Sequence, residues 1–118
     1  MNRFIVLYRA PLDVAERFAQ ATPEEAMDGL KLWTDWFERT GNALVDPGKP
    51  LSNAMKVTTS GSAKTDTRVI GMSILQADTM DDALELVEDH HHLRWAEDCE
   101  ILVLEETAIP EMEALAAH

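Results

Sequence analysis

The sequence predicts an α+β fold in which strand–helix–strand occurs twice, giving a four-stranded antiparallel sheet with both helices on one face. Three observations carry this reading. Residues 3–9, 67–76 and 99–105 are rich in apolar and β-branched residues and read as strands, the first without a breaker until Pro11. Thr22 and Thr79 each open a stretch with helical periodicity and acidic residues in its first turn. The order of these pieces, βαββαβ, is the ferredoxin-like arrangement.

Taken in order, the first strand is rich in aromatic and β-branched residues and ends before Pro11. Residues 13–21 are polar and read as a loop or a short turn of helix. Thr22-Pro23-Glu24-Glu25 is a helix start, with Thr22 as N-cap, Pro23 in the first helical position and Glu25 completing a capping box. Such a cap is worth about 1 kcal/mol. Ala26, Leu30, Trp33 and Phe37 then fall on one helical face, and Gly41 stops the helix. Pro47-Gly48-Lys49-Pro50 reads as a turn, residues 51–59 as a strand after it, and residues 58–63 as the tip of a hairpin. Thr79 caps the second helix, with Asp81 and Asp82 in the turn where the helix dipole favours negative charge. Ala83, Leu86, Val87 and His90 share its inner face, and residues 109–117 form an amphipathic tail with helical character.

The strands are apolar on both faces. Phe4, Val6 and Tyr8 point one way and Ile5 and Leu7 the other, and residues 69–75 and 101–104 alternate in the same manner. Two helices cover only one face of a sheet. A second copy of the sheet is the simplest cover for the other, so the expected assembly is a homodimer closed through the open sheet face, a dimeric α/β barrel.

Composition sets the outer bounds. A chain of 118 residues is expected to form one domain, 1–118, since two cores would each be too small. Hydrophobic residues at 46% and charged residues at 27% belong to a globular rather than a disordered chain. No apolar run reaches the roughly 18 residues that span a bilayer, and residues 1–8 lack the features of a signal peptide, so a cytoplasmic location is expected. Ten basic against 22 acidic residues give a net charge of -12, which repels nucleic acids and anionic membranes alike. Cys99 is the sole cysteine, which excludes an internal disulfide and a multi-cysteine metal site.

The densest chemistry lies at His90-His91-His92. Neighbouring residues on a helix point about 100° apart, so three adjacent histidines do not form a metal site from regular helix. Asp89, Asp98 and Cys99 lie near in sequence, but no spacing selects them, and neither metal nor cofactor is expected. A histidine here is read as a general acid/base, a ligand-orienting group or a structural cap. Tyr8 and Arg9, at the end of the first strand, are candidates to hold an anionic or carbonyl-bearing ligand, and Trp95 and Trp36 to form a lid or interface. Trp33 is assigned to the core. Asp98 and Glu100 beside Cys99 should raise its pKa and disfavour a nucleophilic role.

Gly71-Met72-Ser73-Ile74-Leu75-Gln76-Ala77-Asp78-Thr79-Met80-Asp81-Asp82-Ala83-Leu84-Glu85-Leu86, the histidine segment ending at Leu93, and Cys99-Glu100-Ile101-Leu102-Val103-Leu104-Glu105 resemble the YCII-related family of the dimeric α/β barrel superfamily. The opening strand and Pro23-Glu24-Glu25 fit the same pattern. Two departures stand out. Thr65-Asp66-Thr67-Arg68 replaces an Asp-Gly-Pro-Phe segment of many relatives, and His91 stands where a proline is common. The resemblance implies a ferredoxin-like fold, a homodimer and a cleft that takes a small organic molecule. It also implies a lyase- or hydrolase-like His/Asp pair drawn from His92 or His90 with Asp78 or Asp89. The alternatives are a non-catalytic ligand sensor or accessory subunit, and a cofactor-free monooxygenase or haem-handling protein.

Overall fold

In the computed structural model the polar residues after Pro11 form a helix. The structure describes residues 1–108, apart from the side chains of Ala15 and Phe18; the expected tail at 109–117 lies outside the described residues. The elements are β1 (Asn2–Arg9), α1 (Leu12–Ala19), α2 (Pro23–Thr40), β2 (Leu44–Pro50), β3 (Met55–Thr58), β4 (Gly61–Lys64), β5 (Val69–Ala77), α3 (Met80–Val87) and β6 (Glu100–Glu105). Four strands form an antiparallel sheet in the order β2-β5-β1-β6, and β3 and β4 form a separate two-stranded sheet.

The capping signals hold. The Glu25 N–H donates to Thr22 Oγ1 at 3.1 Å, and the Glu25 carboxylate accepts in return from the Thr22 N–H at 3.3 Å. Thr79 Oγ1 accepts from the Asp82 N–H at 3.1 Å. The alternation along β1 also holds. Phe4, Val6 and Tyr8 are buried with Leu75, Ala77, Trp36, Ala83 and Val87, so α2 and α3 close the same face of the sheet. Ile5 and Leu7 face away, opposite Ile74 and Met72 on β5 and Leu104 and Leu102 on β6.

Four expectations need correction. The segment read as a loop or turn is α1, anchored by Val14 against Ala10 and Cys99, with Asp13 in its first turn and Arg17 in its last, as the helix dipole favours. Pro47-Gly48-Lys49-Pro50 is not a turn but the end of the edge strand β2. An edge strand tolerates the missing proline donors. Asp46 Oδ1 accepts from the Gly48 N–H at 2.7 Å, the register shifts here, and Gly48, at φ 84°, lies so close to the Met72 carbonyl that a Cβ would collide with it.

The expected strand at 51–59 shrinks to β3, and its partner β4 makes a hairpin distinct from β5. On α2, finally, the buried residues are Trp36 and Thr40, neither in the predicted stripe; of that stripe Trp33 and Phe37 are half-buried against the core, while Ala26 and Leu30 are exposed. Only the second half of α2 lies over the sheet. Trp36 Nε1 donates to the Leu86 carbonyl at 2.9 Å, tying α2 to α3.

Candidate functional site

The histidines converge on the helix-covered end of the sheet, beside Tyr8. α3 ends at Val87, whose carbonyl accepts from the His90 N–H at 3.1 Å. His90 therefore sits beyond the helix on which it was expected. It has extended backbone and caps a 3₁₀ turn, His91–Arg94, through its ring: the His92 N–H donates to His90 Nδ1 at 3.0 Å. Because Nδ1 is an acceptor, neutral His90 carries its proton on Nε2. That nitrogen is buried without a partner, in a residue 1% exposed. His92 has the same tautomer for a different reason. Its Nε2 lies 2.8 Å from the Arg9 carbonyl, which only accepts.

Aromatic rings enclose this corner. The His90 ring centroid is 4.6 Å from Trp36, 4.9 Å from Trp33, 5.1 Å from Tyr8 and 4.2 Å from the stacked ring of His91. Trp33 also meets His91 edge-on at 4.5 Å. Both ring nitrogens of His91 are buried without a hydrogen-bond partner. Burial pushes the His90 pKa down to about 3 and that of His91 down to about 4, with the neighbouring histidines and then Arg39 and Arg94 adding to the effect. His92 is also lowered by burial, against the pull of its backbone hydrogen bonds at Arg9 and Glu100. All three are neutral at pH 7.

Tyr8 is closed off from any anion. Ser73 Oγ donates to the Pro47 carbonyl at 2.8 Å, so the Tyr8 hydroxyl, also at 2.8 Å, donates to Ser73. Burial pushes the phenol up to about 12. Arg9, the next residue on the strand, turns to the opposite face, where Nη1 lies 3.6 Å from Glu100 Oε1. Tyr8 and Arg9 thus do not meet on one ligand.

Asp78 is at the other end of the sheet, beside the Ala77–Asn2 pair, where its carbonyl accepts from Asn2 Nδ2 at 3.2 Å. Six strand residues, about 20 Å, separate that level from Tyr8. It makes no pair with the histidines. Asp89 is near them in sequence but exposed, and its backbone carbonyl accepts from Arg94 Nη2 at 3.1 Å. Trp95 is exposed, with its ring 6.0 Å from His92. Trp36, read as a lid or interface residue, is core.

Cys99 is buried with Ala10 and Val14, and its thiol is raised chiefly by that burial; Asp98, which the sequence put first, contributes less. Among the described residues no three His, Cys, Asp or Glu side chains gather to hold a metal ion.

The sequence reading named His91 in the histidine block but not among the candidate catalytic residues, and it missed Trp33, Trp36 and Arg39 as members of this cluster. Trp33, Trp36, Phe37 and Thr40 recur at spacings of three and four, and that signal could have drawn the stripe one residue further round the helix. A shallow groove of about 260 Å³ runs past the cluster, lined by Trp36, Arg39, Thr40, Glu85, Leu86 and Asp89. No helix of the described residues is long and apolar enough to cross a membrane. No family model, curated protein or solved structure matches the chain.

Proposed function

We propose that the chain is a YCII-related protein of ferredoxin-like topology that pairs into a dimeric α/β barrel and binds a small organic molecule at the His90–His91 corner. The strand order β2-β5-β1-β6, with α2 and α3 on one face, supports the topology. The apolar residues of the opposite face support the pairing: Ile5, Leu102 and Leu104 are 37%, 39% and 48% exposed in a single copy.

One observation carries the binding reading. His90 Nε2–H is a buried donor without a partner, and such a group is costly unless a ligand or water meets it. It calls for an acceptor, the oxygen of a carbonyl or carboxylate. Arg39, which bears on both His90 and His91 and lines the adjoining groove, adds positive potential for the same oxygen.

In this reading His90 orients and His91 is the residue available for proton transfer, because both of its ring nitrogens are free of protein partners. His92 and Asp78 leave the catalytic set. A sensor or accessory role is the second reading: burial first, then the neighbouring histidines and Arg39 and Arg94, all disfavour protonation of His90 and His91. Ring-nitrogen NMR of ¹⁵N-histidine-labelled protein, titrated with a panel of small carboxylic acids and ketones, tests the binding. Shifts at His90 and His91 on saturation support it; shifts elsewhere alone contradict it. Consumption of a bound compound that is lost in His91→Ala marks an enzyme, and binding without consumption marks a sensor.

A further inference from the structure

Strands β3 and β4 form a ribbon in which every residue is exposed. The ribbon prolongs the β2–β5 ladder past the end of the sheet. The Leu51 N–H donates to the Ile70 carbonyl at 2.9 Å and the Thr65 N–H to the Ala54 carbonyl at 3.1 Å, after which Met55 to Thr58 pair with Lys64 back to Gly61. Its direction is set at the base. Asn53 and Arg68, one in each limb, hold positive φ angles of 59° and 64°. Asp66 Oδ1 accepts from the Arg68 N–H at 2.8 Å, and Thr67 Oγ1 from the Val69 N–H at 3.1 Å. An uncovered two-stranded ribbon is marginal in water, and this one displays Met55 and Val57 at 55% and 78% exposure. Alternation puts those two on one face with their cross-strand partners Lys64 and Ser62.

Charge identifies the occupant. Residues 51–68 carry Lys56, Lys64 and Arg68 against Asp66 alone, a basic segment within a chain of net charge -12. A complementary surface exists on the same chain. Trp33 of α2 lies beside Tyr8, ring centroids 4.9 Å apart, near the end of β1. The helix then runs back toward the Phe4 level, where Leu44 meets Leu75, so its first ten residues project about 15 Å past the sheet. On this overhang Glu24, Met27 and Asp28 form an exposed stripe, with Met27 66% exposed. Glu25 is engaged by its cap and Asp35 by Lys31. Glu24 and Asp28 make no side-chain hydrogen bond or ion pair among the described residues.

We propose that the β3–β4 ribbon is an arm that docks on a second copy of this chain, laying Met55, Val57 and Lys64 on the Glu24–Met27–Asp28 stripe of that copy. The inference rests on the self-association proposed above and adds a second contact to it. Sedimentation velocity of full-length protein with paired charge reversals is the test. Lys64→Glu reverses the docking face of the arm, and Glu24→Lys/Asp28→Lys reverses the helix; all three residues are exposed, so the fold is retained. Each variant alone should dimerise at least about tenfold more weakly than the wild type, because like charges then face each other. An equimolar mixture should recover, since the heterodimer joins reversed arm to reversed helix and native arm to native helix. A dimeric wild type whose variants dimerise equally well, or a mixture no tighter than either variant, overturns the arm alone. A monomeric wild type overturns the arm and the sheet-face pairing together.

Discussion

The two faces of the sheet differ in completeness. On the helix-covered face the side chains are closed over and most polar atoms are paired: Tyr8 to Ser73, Ser73 to Pro47, Trp36 to Leu86, His92 to Arg9. On the other face Ile5, Leu7, Met72, Ile74, Leu102 and Leu104 form a continuous apolar surface that a single copy leaves open. The difference teaches that one chain builds its core on the helix side and leaves apolar side chains partly exposed on the other. The exception on the closed face, the unpartnered nitrogens of His90 and His91, is then the place where a ligand would complete it.

The comparison can be broken most severely at Trp36. Truncation to alanine should cost about 3–5 kcal/mol in denaturant unfolding, since Trp36 is 2% exposed and bridges α2 to α3. The equivalent cut on the open face, Leu104→Ala, should leave a dilute single copy within about 1 kcal/mol of the wild type and weaken association instead. If Leu104→Ala unfolds the dilute protein as Trp36→Ala does, the two faces do not differ in the manner described.

Acid sharpens the comparison next. The folded pKa values of His90 and His91 lie below the unfolded value of about 6.5, so the unfolded chain binds the extra protons as pH falls. The contribution is intact above pH 6.5 and is lost progressively down to about pH 3 to 4. For His90 the slope reaches up to about 1.4 kcal/mol per pH unit. His90→Asn, which keeps an acceptor for the His92 N–H, should flatten this dependence in urea titrations at pH 4 to 7. An unchanged slope would show that His90 is not protonated on unfolding.

The smaller effect is Ser73→Ala, expected to cost about 1–3 kcal/mol because it leaves the buried Tyr8 hydroxyl unmet and removes the donor to the Pro47 carbonyl. Tyr8→Phe should cost less, about 1 kcal/mol, because Ser73 keeps its bond to Pro47. A reversal of that order in thermal melts would mean that Tyr8, not Ser73, anchors the chain of bonds.

The parts legible in the sequence are those decided locally. The caps at Thr22 and Thr79 depend on residues three positions apart, and the sheet faces depend on a two-residue alternation. The parts that escaped are decided by distant partners. Ser73 is 65 residues from Tyr8 and Trp36 is 50 from Leu86, so neither bond leaves a trace in local pattern. The β2 edge strand hid behind two prolines whose missing donors matter only if neighbours exist on that side. At the site, the run of three histidines was visible in the sequence, but their burial and partners were not. His90 became a cap and a donor, His92 a backbone anchor, Asp78 a residue at the far end of the sheet, and His91 the ring with both nitrogens unclaimed.

Sedimentation equilibrium of the wild type beside Ile5→Glu/Leu104→Glu tests the central claim, that the open face is completed by a second copy, most directly. The wild type should run at twice the chain mass of 13.2 kDa, and the double variant as a single copy with unchanged circular dichroism. A wild type that sediments as one chain at micromolar concentration, or a double variant that stays dimeric, would contradict it.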